Sequence, residues 1–496
     1  MKVRALMAVG LAMMSAAPAA MAQRGESMAT LWANNCANCH GERGEGGGAG
    51  TKTLLVREKF GQELDRPFFD AIKNGVPDMG MAAFGETLAD KEIWGLVVHI
   101  RELQARALRK EEGSPAPKNG VYESKHASFK VERVITEGVQ IPWAVEVMPD
   151  GRMLVTERPG TLRVHSTGKE GGTLSEPVAG TPKVVHVGQG GLMDVALHPE
   201  FEKNGWIYLG YADAREGATG RGPNMTRIVR GRLKDVNGKP TWTDNQDVWK
   251  AEDKHYLASG LHFGNRIVFE KAPAGAKSAW YVYWCIGERG MGAHSQDLAR
   301  PNGKIHRLFD DGQVPDDNPF VGREDALASI WSYGHRNPQG LVFDLEGNLW
   351  DTEHGPRGGD ELNLVQKGAN YGWPVVAFSI NYPGNALTVP WTEDGKAPDG
   401  ETIVQPVYRW LPSIAACGLT VVNGDAFPQW KGDLFAGGLA GSVVDRVRVK
   451  DGKLVEVEEI LHGIGRVRDV VAAPDGTVYV VLNDPDHVIR LVPAGK

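Results

Sequence analysis

Pairs of apolar segments, each interrupted by turn residues, recur six times between residues 143 and 482 of this 496-residue chain. The interruptions carry Pro, Gly, Asp or Asn, which favour tight turns between strands. The six pairs occupy Trp143–Glu157, Gly191–Tyr211, His262–Gly287, Gly340–Glu353, Leu419–Gly437 and Asp469–Leu482. A spacing of roughly 60 residues suits a four-stranded unit with long connecting loops, so an all-β six-bladed β-propeller is predicted over residues 129–496.

Residues 23–109 precede the repeats and have a different pattern. Apolar residues recur at helical spacing around Trp32, and again between Ile93 and Leu103. This periodicity predicts a small all-α domain over residues 23–109. A polar segment rich in Pro and Gly follows it, and we assign residues 110–128 to a linker.

The first 22 residues have the pattern of a secretory signal peptide. Two basic residues, Lys2 and Arg4, precede an apolar run that ends in small residues at Ala22. We therefore expect cleavage after Ala22 and export to the periplasm. The apolar run is too short for a permanent anchor, and no later segment has the roughly 20 uninterrupted apolar residues that a membrane-spanning helix needs.

The charge pattern narrows the classes of partner. The net charge of −7 at pH 7 is spread along the chain without a basic block. Nucleic-acid-binding proteins carry such a block or patch, so no nucleic-acid partner is expected. Small molecules and redox proteins are the expected partners instead.

Cys36, Cys39 and His40 form a Cys-x-x-Cys-His motif, the attachment sequence of c-type haem. Two thiols at this spacing on a helical turn can each add to a haem vinyl group, and the histidine that follows can ligate the iron. The alternative is a redox or zinc site. Zinc would need further Cys or His ligands nearby, and this part of the chain has no third cysteine, so haem c is favoured.

A second iron ligand is expected beyond the attachment motif, and Met79 and Met81 are the candidates. Residues 23–109 resemble small class I cytochromes c, which have a Met-Pro-Ala-Phe motif before the last helix. The run from Met81 to Phe84 is similar, with alanine in place of proline. The resemblance favours Met81 as axial ligand, and thioether ligation raises the haem potential, as suits an electron acceptor.

Six segments of the repeat region resemble the soluble glucose, aldose-sugar and sorbosone dehydrogenases that use pyrroloquinoline quinone (PQQ). They follow one another in the order of that family across most of residues 130–496. The segments are Gly188–Leu192, His262–Arg266, Gly334–Gly340, Glu353–Pro356, Asn370–Pro374 and Arg466–Asp469. The resemblance implies a PQQ-dependent sugar or alcohol dehydrogenase.

The residue types at these positions suit PQQ, which is a tricarboxylate. Guanidinium groups can give a carboxylate two parallel hydrogen bonds, and Arg466 and Arg468 alternate along a predicted strand, so they share one face. A solvated strand face is the alternative for an isolated Arg-x-Arg. Other repeats, however, open with similar residues at Gln189, His262 and Arg336, which favours a common pocket at one end of the repeats.

The resemblance also implies roles for individual residues. His262 matches the general base that takes the proton of the substrate hydroxyl, and Arg336 matches a residue that contacts the quinone. Asn337, Gln189 and Ser413 match other positions of the pocket. The family holds calcium through main-chain carbonyl groups, which correspond here to those of Gly355 and Pro356.

The chain departs from the family pattern at three places. A lysine near PQQ is absent, because the matching run is Gly438–Gly441. The carboxylate that orients the base is Glu288 rather than aspartate, and a Pro-Ser-Gly element is replaced by one that contains Cys417. Loss of the lysine removes one cation from the expected PQQ pocket. Cys285 and Cys417 are most simply buried thiols.

Together these patterns predict a periplasmic quinohaemoprotein that oxidises a sugar, a polyol or a related alcohol or aldehyde. Electrons would collect on PQQ and leave one at a time through haem c, to a soluble or membrane-bound redox acceptor. One alternative is a calcium-dependent propeller hydrolase, since fold does not determine function. Another is a binding propeller without a cofactor, fused to an electron-transfer cytochrome.

Overall fold

The computed structural model describes residues 26–48, 52–166, 172–218, 220–387, 395–397 and 399–495. The expected signal peptide of residues 1–22 lies outside these residues. A small helical region comes first, and a ring of β-sheets follows it. The predicted fold class, an all-α domain before an all-β propeller, is confirmed.

Six antiparallel sheets make up the propeller in the described part of the chain, and each contains one of the six predicted strand pairs. Blade 1 comprises β3 (Pro142–Val147), β4 (Met153–Glu157), β5 (Thr161–Ser166) and β6 (Thr173–Leu174). Blade 2 comprises β7 (Leu192–Leu197), β8 (Ile207–Ala214), β9 (Asn224–Val236) and β10 (Lys239–Trp249). Blade 3 comprises β11 (Ile267–Lys271), β12 (Trp280–Ile286), β13 (Lys304–Phe309) and β14 (Ile330–Tyr333).

The remaining blades repeat this order. Blade 4 comprises β15 (Pro338–Phe343), β16 (Leu349–Glu353), β17 (Asp360–Val365) and β18 (Tyr408–Trp410). Blade 5 comprises β19 (Ala416–Val421), β20 (Leu434–Gly438), β21 (Val443–Lys450) and β22 (Lys453–His462). Blade 6 comprises β23 (Arg466–Ala472), β24 (Val478–Asn483) and β25 (His487–Pro493), joined by β2 (Ser128–Ile135) and β1 (Tyr122–Glu123).

Blade 6 closes the ring with strands from both ends of the propeller. Strand β2, which precedes the first repeat, pairs antiparallel with β25, so that Phe129 lies opposite Pro493. Phe129 is fully buried, and its ring packs edge-on against that of Trp430 in blade 5. Because β2 precedes the first blade in the chain and pairs within the last, this strand holds the two ends of the propeller together and stabilises the ring against opening.

The first strand of each blade faces the centre, where it contacts the first strands of both neighbouring blades. Buried charges connect three of these strands or the residues next to them, because Arg266 donates to Asp194 at 2.7 Å and its Nη2 lies 2.9 Å from the carboxylate of Asp469. Arg266 precedes β11, whereas Asp194 lies in β7 and Asp469 in β23. This ion triad therefore joins blades 2, 3 and 6 beneath the loops that precede the inner strands.

The helical region contains α1 (Met28–Asn35), α2 (Ala37–His40), α3 (Asp65–Asn74) and α4 (Asp90–Glu112), and a further short helix, α5 (Phe201–Asn204), lies in blade 2. Single 3₁₀ turns occur at Arg57–Lys59, Gln62–Leu64, Pro77–Met79, Asp253–His255, Gly292–Ser295 and Pro428–Trp430. The last helix of the helical region, α4, continues to Glu112, three residues into the segment assigned to the linker. No helix in the described ranges is both long enough and apolar enough to cross a bilayer.

Helices α1 and α4 cross closely because Gly95 lacks a side chain. A Cβ atom at Gly95 would lie 2.4 Å from Sδ of Met28, so any larger residue would displace the Met28 side chain from this crossing. The hydroxyl of Ser27 caps α1 by accepting a hydrogen bond from the Thr30 amide at 3.1 Å. This crossing places the attachment motif at the carboxyl end of α1 beside the middle of α4.

Candidate active site and haem-attachment region

Loops before the inner strands bring the predicted pocket residues together. Gln189 precedes β7, His262 precedes β11, and Arg336 and Asn337 precede β15. The Gln189 side chain accepts a hydrogen bond from the His262 amide at 2.8 Å, and the Asn337 side chain accepts one from the Gly264 amide at 3.2 Å. Three blades are thus connected at one end of the ring.

His262 is the best-positioned base in this group. Its Nδ1 is hydrogen-bonded to Oε1 of Glu288, and both side chains are buried. The extra methylene of Glu288, relative to the expected aspartate, therefore still allows it to reach the ring. The Glu288 amide donates to the Arg336 carbonyl at 2.8 Å, which ties the carboxylate-bearing turn to blade 4.

The electrostatic surroundings keep His262 neutral. Burial is the largest cause that lowers its pKa, and the charges of Arg336 and Arg289 lower it further, whereas Glu288 opposes them. Because its pKa is lowered, the imidazole is still largely unprotonated at pH values somewhat below about 6.5, the ordinary pKa of histidine. Because Nδ1 is engaged by Glu288, Nε2 is the nitrogen that remains to accept a proton.

Arg289 holds the backbone that presents His262. It is buried, and it donates to the carbonyl groups of Leu261 and Ser259 at 2.8 and 2.6 Å. Its guanidinium lies 3.6 Å from the ring centre of Phe263. His262 has a φ of 49°, a left-handed conformation that its neighbours must maintain. The sequence analysis missed this role of Arg289, although it directly follows Glu288.

Arg336 joins the pocket to the segment expected to hold calcium. Its Nη1 donates to the carbonyl oxygens of His354 and Gly355, both at 3.1 Å. Its amide donates to Glu353 at 2.6 Å, and its guanidinium lies 5.2 Å from the ring centre of Trp373. Arg336, expected at the quinone, and Gly355, expected at calcium, are therefore in direct contact.

The carbonyl groups of Gly355 and Pro356 have the oxygen chemistry that calcium prefers. The loop is positioned by Asp360, which accepts hydrogen bonds from the Gly355 amide at 2.9 Å and from the Ser413 hydroxyl at 2.8 Å. Ser413 thus supports this loop through Asp360. A cation on the Gly355 oxygen would have to share that oxygen with Arg336 or displace its guanidinium.

Buried polar residues around His335, which directly precedes Arg336 in the chain, orient Glu353. Nδ1 of His335 lies 3.1 Å from Glu353 and 3.4 Å from Asp351, and the ring of Tyr371 stacks on that of His335 at 4.6 Å. Burial and the nearby Glu353 charge raise the pKa of Asp351 well above its ordinary value. These residue types can ligate metals, but their contacts also explain how Glu353 is held against the Arg336 amide.

The pocket has a surplus of positive charge. Nη1 of Arg468 donates to Oε1 of Gln339 at 3.0 Å and lies 3.6 Å from Sγ of Cys417, and among the described residues no carboxylate pairs with it. Burial and the charges of Arg266 and Arg466 lower the pKa of Arg468. A site of this kind is suited to an anionic ligand that would supply the missing carboxylates.

Arg466 and Arg468 differ in exposure. Arg466 is exposed at the start of β23, whereas Arg468 is half-buried. The pairing of β23 with β24 shifts register between Val467 and Asp469, so Arg468 occupies an irregularity of the ladder. Such irregularities redirect side chains, and here one lies where Arg468 reaches Gln339 in blade 4.

Arg158 is a further cation that the sequence analysis missed. It follows β4 directly, and its Nε is buried without a hydrogen-bond partner among the described residues. Burial is the first cause that lowers its pKa, and the positive charge of Arg468 is the second. Arg158 therefore adds a cation near Arg468, in a pocket where the family lysine is replaced by the Ala440 region. Its position at a turn after an inner blade strand was the available signal.

Cys417 lies at the wall of the pocket. Its Sγ is 3.9 Å from both Oε1 of Gln339 and Nε2 of His354, and the side chain is fully buried. Burial raises its pKa to about 11, so the thiol is protonated at neutral pH. Cys285 is also buried and free, as expected, and it donates to the Pro338 carbonyl at 3.3 Å.

The haem-attachment motif spans the junction of α1 and α2. Cys36 and Cys39 are half-buried, and His40 is the last residue of α2. Nδ1 of His40 is buried and has no hydrogen-bond partner within the described ranges. Burial and the neighbouring Cys39 raise the pKa of the Cys36 thiol to about 11. A thiol pair with an adjacent unsatisfied imidazole fits covalent haem.

The two candidate methionines have different surroundings. Met81 packs against the apolar cluster that Cys36 also contacts, whereas the Met79 residue is 69% exposed. The chain turns back between them, because the amide of Met81 donates to the Val76 carbonyl at 3.1 Å. Met81 therefore faces the interior of the domain and Met79 faces away from it.

Comparisons with known proteins match the two parts of the chain separately. Residues 139–490 match the family model described as Glucose / Sorbosone dehydrogenase, and residues 23–100 match Cytochrome C oxidase, cbb3-type, subunit III. The aldose sugar dehydrogenase YliI of Escherichia coli (strain K12) is 40% identical over 364 residues, which cover 72% of this chain and 91% of that protein. Quinoprotein glucose dehydrogenase B of Acinetobacter calcoaceticus is 28% identical over 429 residues, covering 71% and 85%.

A solved structure is similar to the propeller. It is the PQQ-bound form of the aldose sugar dehydrogenase from Streptomyces coelicolor, which superposes with a TM-score of 0.56 at 25% identity. The match covers 76% of this chain and 99% of that one.

Proposed function

The chain belongs to the glucose and sorbosone dehydrogenase family and carries a cytochrome c domain, and on this basis we propose that it is a quinohaemoprotein sugar dehydrogenase. The family assignment confirms the resemblance drawn from the sequence motifs. The proposed substrate is a sugar, a polyol or a related alcohol or aldehyde. The observation that carries the proposal is the His262–Glu288 pair, which lies beside Arg336 at one end of the ring.

The surplus cations supply a binding site for PQQ. When bound, PQQ would accept a hydride and so two electrons from the substrate. Arg466 and Arg468 would bind its carboxylates, with Arg158 compensating for the absent lysine. Gln189, Asn337 and Arg336 would complete the polar wall around it. The alternative of a propeller without a cofactor is disfavoured by this set of cations, which lack carboxylate partners in the described part of the chain.

His262 would remove the substrate proton. Its lowered pKa keeps Nε2 unprotonated near neutral pH, and Glu288 orients the ring and stabilises the imidazolium that forms. Arg336, which lies beside this pair, would add a fixed positive charge where negative charge develops during the reaction. Because the convergent side chains are Arg and His, a hydrolase with carboxylate-ligated calcium is a poorer account of this pocket.

Calcium is the proposed metal, held by the carbonyl oxygens of Gly355 and Pro356. Two neutral oxygens make a weak site alone, so binding would be expected to depend on oxygens from the cofactor as well. Ser413 and Asp360 would contribute by holding the loop in place.

The N-terminal domain would carry one haem c. Cys36 and Cys39 would form the covalent links, and His40 and Met81 would be the axial ligands of the iron. The half-buried position of Met81 and the exposure of Met79 support this choice. A signal peptide over residues 1–22, as proposed from the sequence, would export the chain, so the proposed location is the periplasm.

Reconstitution tests the proposal directly. Purified protein containing haem is mixed with PQQ and calcium, and haem reduction is followed after addition of sugars, polyols and aldehydes. We expect reduction with at least one sugar or polyol only when both PQQ and calcium are present. Failure of PQQ to bind, measured by titration, would contradict the proposal. So would PQQ binding without reduction of haem or of an artificial dye across the panel.

A further inference from the structure

The helical domain and blade 4 share one apolar core. Phe378 and Ile380, from the loop after β17, are 2% and 1% exposed and belong to the same cluster as the interior residues of α1 and α4. The rings of Phe378 and Trp94 meet edge to face at 5.6 Å. A Cβ atom on Gly95 would lie 3.5 Å from Ile380. Two propeller residues thus fill space inside the core of the helical domain.

Ion pairs with buried carboxylates surround this shared core. Glu102 of α4 binds Arg357 of blade 4 through two hydrogen bonds of 2.9 Å, and Glu102 is only 4% exposed. Asp65 of α3 accepts from Arg409 of the propeller at 2.9 Å and from Arg101 at 2.7 Å. A bidentate pair with a buried carboxylate, such as that of Glu102 and Arg357, fixes the relative orientation of the groups that carry it.

Main-chain contacts add to these side-chain contacts. The Met28 amide donates to the Gly384 carbonyl at 2.8 Å, and the Gln62 side chain donates to the Arg409 carbonyl at 2.6 Å. Domains within one chain usually move relative to each other unless their interface is large and hydrophobic. Here the interface contains a continuous apolar core, buried charges and main-chain hydrogen bonds, so one fixed arrangement is favoured.

The propeller residues that contact the helical domain also form a wall of the candidate pocket. Arg357, which binds Glu102, directly follows Gly355 and Pro356. Tyr382 lies between Ile380 and Gly384, both of which contact the helical domain, and its hydroxyl is 3.5 Å from Nη2 of Arg336. The helical domain therefore holds the backbone on both sides of residues that contact Arg336.

A chain of contacts leads from this interface to the haem-attachment motif. His99 lies one helical turn before Glu102 on α4, and its ring centre is 5.7 Å from that of Trp32. The ring of Trp32 is 6.1 Å from that of His40. The pocket wall and the haem-bearing helix are thus separated by one ion pair and two buried rings.

We propose that the helical domain is docked permanently on the wall of the PQQ pocket, so that electrons leave through a fixed interface rather than by movement of the domain. Glu102 and Arg357 are positioning residues in this arrangement, because they act on the haem and the pocket through the segments that carry them. The inference rests on the proposed function. It adds that electrons leave the pocket through this interface and that the interface is rigid.

Glu102→Gln tests the docking without replacing any residue of the pocket. Glu111→Gln is the matched control. Glu111 lies on the same helix, but its side chain is 67% exposed and its contact with Arg57 is long, at 3.9 Å. Amide hydrogen exchange should become faster at residues 357–359 and 378–380 in Glu102→Gln and stay unchanged in the control. Arg357→Gln should give the same pattern from the other side of the pair.

Electron transfer provides the second measurement. In the wild type, substrate-driven haem reduction should be first-order and independent of protein concentration. Electron transfer depends on how closely donor and acceptor are held, and undocking would separate them, so we expect haem reduction to be slower by about ten-fold or more in Glu102→Gln. Sugar oxidation coupled to a soluble dye, which bypasses the haem, should remain at the wild-type rate, and so should the haem spectrum.

The outcomes separate the two proposals. If the wild type reduces neither dye nor haem, the proposed function fails. If the wild type is active but its haem reduction depends on protein concentration, the fixed docking is wrong. The same conclusion follows if Glu102→Gln and Arg357→Gln both keep wild-type exchange at residues 378–380 and wild-type haem reduction.

Discussion

The two proposed cofactor sites of this protein differ in how much of the chain is needed to assemble them. Cys36, Cys39 and His40 lie within two helical turns, so helix geometry alone places them on one side. The pocket residues are spread from Arg158 to Arg468 and meet only because six blades close into a ring. A local site can be identified from a motif, whereas a dispersed site depends on the whole fold.

The comparison also shows where each region should be sensitive to change. The haem-attachment motif depends on its own helices and on their packing against α4. The pocket depends on contacts between blades, such as the Arg266 triad and the hydrogen bond between Arg468 and Gln339. Single substitutions in the pocket should therefore leave the haem spectrum unchanged, and the predictions below test that independence.

The largest effect is expected from loss of the base. His262→Asn keeps a residue that tolerates the positive φ at this position but cannot accept the substrate proton. Loss of a general base typically lowers rates by about 10²–10⁴-fold, so substrate-driven haem reduction should fall by that factor. PQQ titration and the haem spectrum should match the wild type. A rate within about threefold of wild type would show that His262 is not the base.

Arg468→Ala should weaken PQQ binding. Removal of one partner from a buried charge pair costs about 2–5 kcal/mol, which corresponds to a loss of affinity of roughly 30-fold or more. Arg490→Ala is the control, because Arg490 lies in the same blade but pairs with the partly exposed Glu132. Fluorescence titration with PQQ measures both. Equal affinities for the two variants would place the cofactor carboxylates elsewhere.

Glu288→Gln should have a smaller effect that depends on pH. Glu288 raises the pKa of His262 against the lowering effect of burial, so its neutralisation should lower that pKa further. Activity is lost as pH falls through the His262 pKa, because the protonated imidazole cannot act as a base. The acid limb of the kcat/KM profile should therefore move to lower pH, with a reduced plateau. A limb that moves to higher pH would contradict this assignment of the base and its partner.

The smallest functional change is expected at the haem. Met81→Leu should remove the long-wavelength sulfur-to-iron absorption band and lower the haem potential, because the thioether ligand is lost. Met79→Leu should change neither property, since Met79 is exposed. PQQ affinity should be the same in both variants, which would sharpen the contrast between the local and the dispersed site. Loss of the band in Met79→Leu alone would reverse the assignment of the ligand.

The sequence by itself determined the elements that depend on neighbouring residues. Turn residues between apolar strands located all six inner hairpins, since a tight turn is a property of a few consecutive residues. The Cys36–His40 motif and the Met81 loop were visible for the same reason. The resemblance to a family then connected distant residues such as His262 and Arg336, whose proximity no local pattern could indicate.

The tertiary structure decided which distant groups meet. Three features depend on contacts between segments far apart in the chain. Strand β2 closes blade 6, Arg158 adds a cation near Arg468, and Arg289 supports His262. The same holds for the Glu102–Arg357 pair, whose members belong to different domains. Neither residue stands out in the sequence, because a charged side chain on a helix or in a loop is usually solvated, and only packing determines which one becomes buried and paired.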